Sequence, residues 1–121
     1  MSQNFEAGDF LIFQLESGYG LLRILAINID ENGEKIWHLS GYNELFPDYE
    51  YAEVALNTPE NLTINLSHVA LTNRAFERTP ASRIGNFILK ETELEAYTIW
   101  KNSESRLIED RSALQLMGFV R

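Results

Sequence analysis

Two apolar runs placed one after the other near the N-terminus constrain this chain more than anything else in it. Phe10-Leu11-Ile12-Phe13-Gln14-Leu15 and the stretch from Leu21 to Ile29 are separated only by a turn, Ser17-Gly18-Tyr19-Gly20. Successive side chains of a strand point to opposite faces. Strands that are apolar on both faces must therefore be covered on both sides. A sheet with one wet face does not meet that demand. A strongly curled sheet covered by helices, or a partial barrel, does. The second run is interrupted by Arg23 and Asn28 and is far too short to span a bilayer.

The remaining elements follow from turn and capping chemistry. Asp30-Glu31-Asn32-Gly33-Glu34 predicts a hairpin, with Asn-Gly supplying the two positive φ angles of a tight turn. A third strand is then expected over Ile36 to Gly41. Leu62, Ile64 and Leu66 alternate with Thr63, Asn65 and Ser67, and the apolar phase flips from Val69 to Leu71. A bulge or a crossing between sheets near His68 accounts for that flip. Thr92-Glu93-Leu94-Glu95 fits a capping box at the start of a helix reaching about Asn102. Leu94, Tyr97 and Trp100 share its apolar spacing. A shorter helix from Glu109 to Met117 would end at Gly118. With 121 residues, no repeat and no linker, one domain over residues 1–121 is expected. The predicted class is α+β: a curled, mainly antiparallel sheet, or a partial barrel, with a C-terminal helix packed on it.

Charge narrows the partners. The net charge is −8, and it is unevenly placed. Residues 1–60 hold eleven carboxylates against two basic side chains, whereas residues 61–121 hold seven against eight. Nucleic-acid binding needs clustered Lys and Arg, and an acidic face opposes anionic membranes, so neither partner is expected. The start of the chain, from Met1 to Glu6, lacks the basic and apolar regions of a targeting segment. Together with the lack of cysteine, this points to a cytoplasmic, soluble protein without a disulfide framework or thiolate metal site. Asn61-Leu62-Thr63 and Asn65-Leu66-Ser67 match the glycosylation pattern, but without a targeting segment they read as strand polarity.

No motif supplies a reaction. There is no Gly-x-Ser-x-Gly elbow, no cysteine–histidine pattern and no phosphate-cradling glycine loop. Catalytic residues, metal and cofactor are therefore all read as none. Binding is the better expectation, and the segment from Tyr42 to Glu53 is the leading site. It interleaves Tyr42, Phe46, Tyr49 and Tyr51 with Glu44, Asp48, Glu50 and Glu53. Aromatic anchors supply buried area at an interface, and charges around them steer the partner, which here would be a basic protein. The opposing reading places the same rings in the core under a loop. The alternative site is a small-ligand or anion site built from His38, His68, Arg74 and Arg78. Two histidines fall short of the three or four ligands of a zinc site.

Gly8-Asp9, Gly18-Tyr19-Gly20, "IWHLSGYNELFPDYE" and "LSHVALTNRAFERTPASRIGNFILKETELEAYTIWKN" together resemble a group of small uncharacterised bacterial proteins. Its pattern is a glycine-turn meander, a His-containing strand, an aromatic turn and a helix bearing Thr, Glu-Leu, Tyr and Trp. Here that helix holds Thr92, Glu93-Leu94 (shifted by one), Tyr97 and Trp100. The resemblance covers most of the chain and implies no activity. The two glycine segments, about 30 residues, also resemble acidic immunity proteins that neutralise secreted bacterial toxins. That implies an acidic, soluble protein-interaction module and assigns no residues.

Overall fold

The two apolar runs lie side by side inside one antiparallel sheet of five strands. A computed structural model describes residues 4–121; the first three positions of the segment read above for targeting lie outside them. The strands are β1 (Asp9–Leu15), β2 (Gly18–Ile29), β3 (Lys35–Tyr42), β4 (Ile64–Thr72) and β5 (Ala81–Asn86). Their order across the sheet is β4-β3-β2-β1-β5, and every neighbouring pair is antiparallel. The sheet is open, with β4 and β5 at its edges, so of the two architectures allowed by the sequence the curled sheet is the one adopted. The helices are α1 (Tyr49–Ala55), α2 (Asn73–Glu77), α3 (Glu91–Lys101) and α4 (Ala113–Met117).

Both faces are covered, as the apolar runs require. Leu11, Phe13, Leu22, Ile24, Trp37, Leu39 and Leu71 pack with Ala75 and Phe76 of α2 and with Ala113 and Met117 of α4. On the other face Phe10, Ile12, Leu21 and Tyr42 pack with Ala52 of α1 and the adjoining Leu56. Gly20 lies opposite Phe13 in the β1–β2 ladder, and a Cβ there would fall 2.3 Å from the Phe13 ring. Glycine at this position is therefore a packing requirement.

Bulges curl the sheet. Ile24 pairs with Leu39 but Ala26 with His38, leaving Leu25 as an extra residue in β2. Leu39 pairs with Val69 but Gly41 with Leu66, which inserts one residue around Ser67-His68. The phase flip read near His68 is this bulge within a single strand. The fifth strand is instead β5, which the sequence did not announce: Ala81-Ser82-Arg83-Ile84-Gly85-Asn86 is a partly exposed edge segment with little apolar alternation.

Three local readings are corrected. The β2–β3 loop has one positive φ, at Gly33 (+81°), and none at Asn32. Asp30 closes a longer turn by accepting from the amides of Asn32 and Glu34 on its carboxylate, while its own amide donates to the Glu34 carbonyl. That is a turn followed by a left-handed glycine, not a two-residue Asn-Gly turn. Helix α3 is capped at Lys90, two residues before the expected Thr92 cap: the Glu93 carboxylate accepts from the Lys90 amide, 3.0 Å away. Helix α4 begins only after Ser112, which caps it reciprocally with Gln115. Glu109 is held beside β4 instead, through hydrogen bonds with Ala70 and Thr72.

Gly33→Ala places a Cβ at positive φ with no compensating contact. It is expected to lower stability by about 1 kcal/mol, read as a lower urea midpoint with an unchanged slope.

Candidate functional site

Beside the apolar cluster of Phe10, Leu21 and Tyr42, the part of the same sheet face that α3 covers is polar. Arg23 lies in the middle of β2 and is 2% exposed. Its Nε donates to Glu93 Oε2 at 2.9 Å and one Nη donates to Glu93 Oε1 at 3.2 Å. The remaining donors reach the carbonyl oxygens of Gly8 and Ile88. The guanidinium also lies 4.3 Å from the Phe10 ring centroid. A cation this deep survives only with paired charge and satisfied donors, and here it has both. Burial pushes the Glu93 carboxyl up, but hydrogen bonds from Arg23 and the Lys90 amide, together with both charges, outweigh it and hold the carboxyl below its usual range. Tyr42 is pushed up to about 12, chiefly by burial and further by the Glu93 charge.

Farther along α3, Tyr97 and Trp100 continue the stripe begun by Glu93 and cover the two histidines. His38 of β3 and His68 of β4 sit diagonally on one face, because His38 pairs with Ala70 and His68 precedes it by two. His38 Nδ1 and His68 Nε2 are 3.0 Å apart, with the rings nearly parallel at 14°. Tyr97 and Trp100 each lie 4.6 Å from the His38 ring, centroid to centroid. Tyr97 also exchanges hydrogen bonds with Asn28. His38 is fully buried, and its Nε2 has no partner among the described residues. The aromatic faces would favour an imidazolium by roughly 0.5–2 kcal/mol. Burial wins: it lowers the proton affinity of both rings, and with His68 beside it His38 falls to about 4.

The leading sequence site divides into different roles. Tyr42 is core. Glu44 clamps Thr63 through its amide and hydroxyl. Phe46 forms a two-way backbone bridge with Tyr19 and packs against the core. Asp48 caps α1 by accepting from the Tyr51 amide at 2.9 Å. Tyr49, Glu50 and Tyr51 are exposed, and so are Glu53 and Val54 beyond them. The seven residues therefore do not form one surface; the outer face of α1 does. Ala52 turns inward and is buried, while Tyr51 and Val54 are 62% and 65% exposed.

The alternative set does not assemble. His38 and His68 lie under α3, whereas Arg74 and Arg78 lie at α2, where both grip Asp110. Arg74 donates through Nε and one Nη and Arg78 through one Nη, and the Asp110 carboxyl is held well below its usual range by hydrogen bonds from Arg74 and Thr72. A broad open groove of about 1120 Å³ passes Phe5, Trp37, Phe76, Tyr19 and Tyr49. A smaller one of about 460 Å³ borders Asp30, Lys35 and Arg74. Neither includes a histidine. Among the described residues no group of three or more His, Cys, Asp or Glu is arranged to hold a metal ion, and no helix is long and apolar enough to cross a membrane.

Sequence reasoning missed Arg23 and Glu93. The signal was present as a lone arginine within Leu21-Leu22-Arg23-Ile24-Leu25, which a doubly buried strand can hold only beside a partner. No family model, curated protein or solved structure matches the chain.

Two outcomes follow from this polar layer. Glu93→Leu strands a buried guanidinium and is expected to cost about 2–3 kcal/mol; the figure sits low for a buried pair because Glu93 keeps 25% of its side chain exposed. Adding Arg23→Met should recover most of the loss in a double-mutant cycle. For the histidines, the unfolded chain takes up protons near pH 6.5 and folded His38 only near 4. Stability is full above the first value and falls as the pH drops between the two, by about 3 kcal/mol for His38. Urea unfolding at pH 7.0, 5.5 and 4.5 reads this directly.

Proposed function

We propose that the protein is a cytoplasmic protein-interaction module that engages a basic protein through the outer face of α1. The observation that carries this reading is the pairing of exposed apolar side chains with uncommitted carboxylates. Tyr49, Tyr51 and Val54 stand outward on a seven-residue helix whose inner residue, Ala52, is buried. Glu50 and Glu53 flank them and enter no ion pair among the described residues. Aromatic anchors ringed by charge are what an interface core and its rim require. The negative balance of residues 1–60 extends the field that would steer a basic partner toward this helix. Absence of cysteine supports the cytoplasmic part of the reading.

An immunity-like role, binding and neutralising a basic protein, fits the same surface. The glycines shared with immunity proteins add nothing to it. Gly8 and Gly18 have positive φ against nearby backbone, and Gly20 makes room for Phe13.

The test uses the chain as bait in extract from its native cells. Glu44 and Asp48 are left intact because they brace Thr63 and cap α1. Proteins recovered by the unmodified chain and lost by Tyr51→Ala with Val54→Asp are the expected partners, and they should be basic. Against such a partner, Glu50→Gln with Glu53→Gln should slow association about tenfold or less and flatten its salt dependence, while Tyr51→Ala should mainly speed dissociation. These exposed changes should leave the melting temperature within about 2 °C. Identical recovery by both baits, or association indifferent to salt, overturns the reading.

A further inference from the structure

We propose that the His38–His68 pair is a proton-operated latch that holds α3 on the sheet and releases it, ahead of the rest of the fold, in mild acid.

The geometry sets what protons do there. With both rings neutral, one nitrogen of the 3.0 Å contact donates and the other accepts. His68 is the more exposed ring and takes the first proton. Its Nε2 is then a donor, so His38 must accept on Nδ1 and carry its own hydrogen on Nε2. That nitrogen is buried and faces no acceptor among the described residues. A second proton on His38 puts a hydrogen on both nitrogens of the contact, and two donors then oppose each other across 3.0 Å. The first step fixes an N–H on the partnerless His38 Nε2, and the second sets two donors against each other.

No neighbouring anion is free to absorb the charge. The titratable groups that β2, β3 and α3 bring to this side of the sheet are Tyr19, Arg23, Tyr42, Glu93 and Tyr97; Tyr19 packs in the Phe10–Tyr42 cluster, and Lys35 of β3 lies over Trp37 on the other face. Glu93 is committed to Arg23, and Arg23 is itself a cation. Tyr97 is tied to Asn28. Glu109, running beside β4, is paired with Arg111. The side of α3 away from the sheet carries Glu91, Glu95 and Lys101, all exposed.

Release should be local because the helix is lightly held. No residue of α3 is buried, whereas the core clusters are built on the strands and on α1, α2 and α4. Relief therefore comes by lifting α3, which lets water reach both rings, and the sheet can remain intact. The carboxylates whose proton affinity is lowered, Asp9, Glu44, Glu93 and Asp110, protonate below the usual carboxylate range. The histidine window therefore lies above theirs. This inference is independent of the α1 reading.

Hydrogen exchange on the unmodified chain tests it. At pH 5, corrected for intrinsic exchange rates, the α3 amides should lose at least tenfold in protection relative to pH 7, while those of β2 and β3 keep theirs. A Trp37→Phe variant leaves Trp100 as the only tryptophan. Its emission should titrate with a midpoint between pH 4 and 6.5. Joint replacement His38→Phe, His68→Phe should abolish that transition. The proposal is overturned if α3 protection is unchanged down to pH 4.5, if it is lost in step with β2 and β3, or if the double variant keeps the transition. The exchange measurement alone decides the matter should either variant fail to fold.

Discussion

One guanidinium organises the face of the sheet that α3 covers. Arg23 cannot give up its proton at any ordinary pH, so burying it obliges the chain to bring acceptors to it. Glu93 supplies the charge, and Gly8 and Ile88 supply carbonyls. Those three partners come from the approach to β1, the segment before α3 and the first turn of α3. The helix is thereby placed at its N-terminal end. Tyr97 and Trp100, one and two turns later, then come to rest on the histidines. The same carboxylate holds the Lys90 amide, so helix start and helix position depend on one side chain.

The two faces are stabilised in different ways. The face under α2 and α4 is a conventional apolar core, with Trp37 stacked on Phe76 at 3.8 Å and Phe5 edge-on to both. Under α3 the contacts are directional and each depends on a partner. Apolar packing tolerates small displacements and is blind to pH. A layer of paired charge and imidazoles is neither.

The charge asymmetry of the sequence acquires a meaning from the pairing. Of the basic side chains in residues 61–121, Arg83 pairs with Asp9 of the first half, while Arg74 and Arg111 pair with carboxylates of their own half. The acidic first half is thus left largely unneutralised by the second, and α1 presents its carboxylates beside outward-facing rings.

Much of the fold was legible in the residues themselves. Apolar runs on both faces of the first two strands required cover on both sides, and the phase flip at His68 required a bulge or a crossing between sheets, because side-chain alternation is a local property of the backbone. Gly118, at φ +84°, likewise marked the end of α4, whereas its start was read at Glu109 and lies after the Ser112–Gln115 capping box. What stayed hidden depended on distant partners. Arg23 and Glu93 are 70 residues apart, so nothing local told which carboxylate the lone cation in an apolar strand would meet. The six residues of β5 lack alternation because an edge strand is half wet. The Tyr42–Tyr51 segment was uniform in composition, yet burial sorted it residue by residue into core, clamp, cap and surface. Periodicity and capping act over a few residues and can be read in order; burial and charge pairing are settled only when segments far apart in the chain meet.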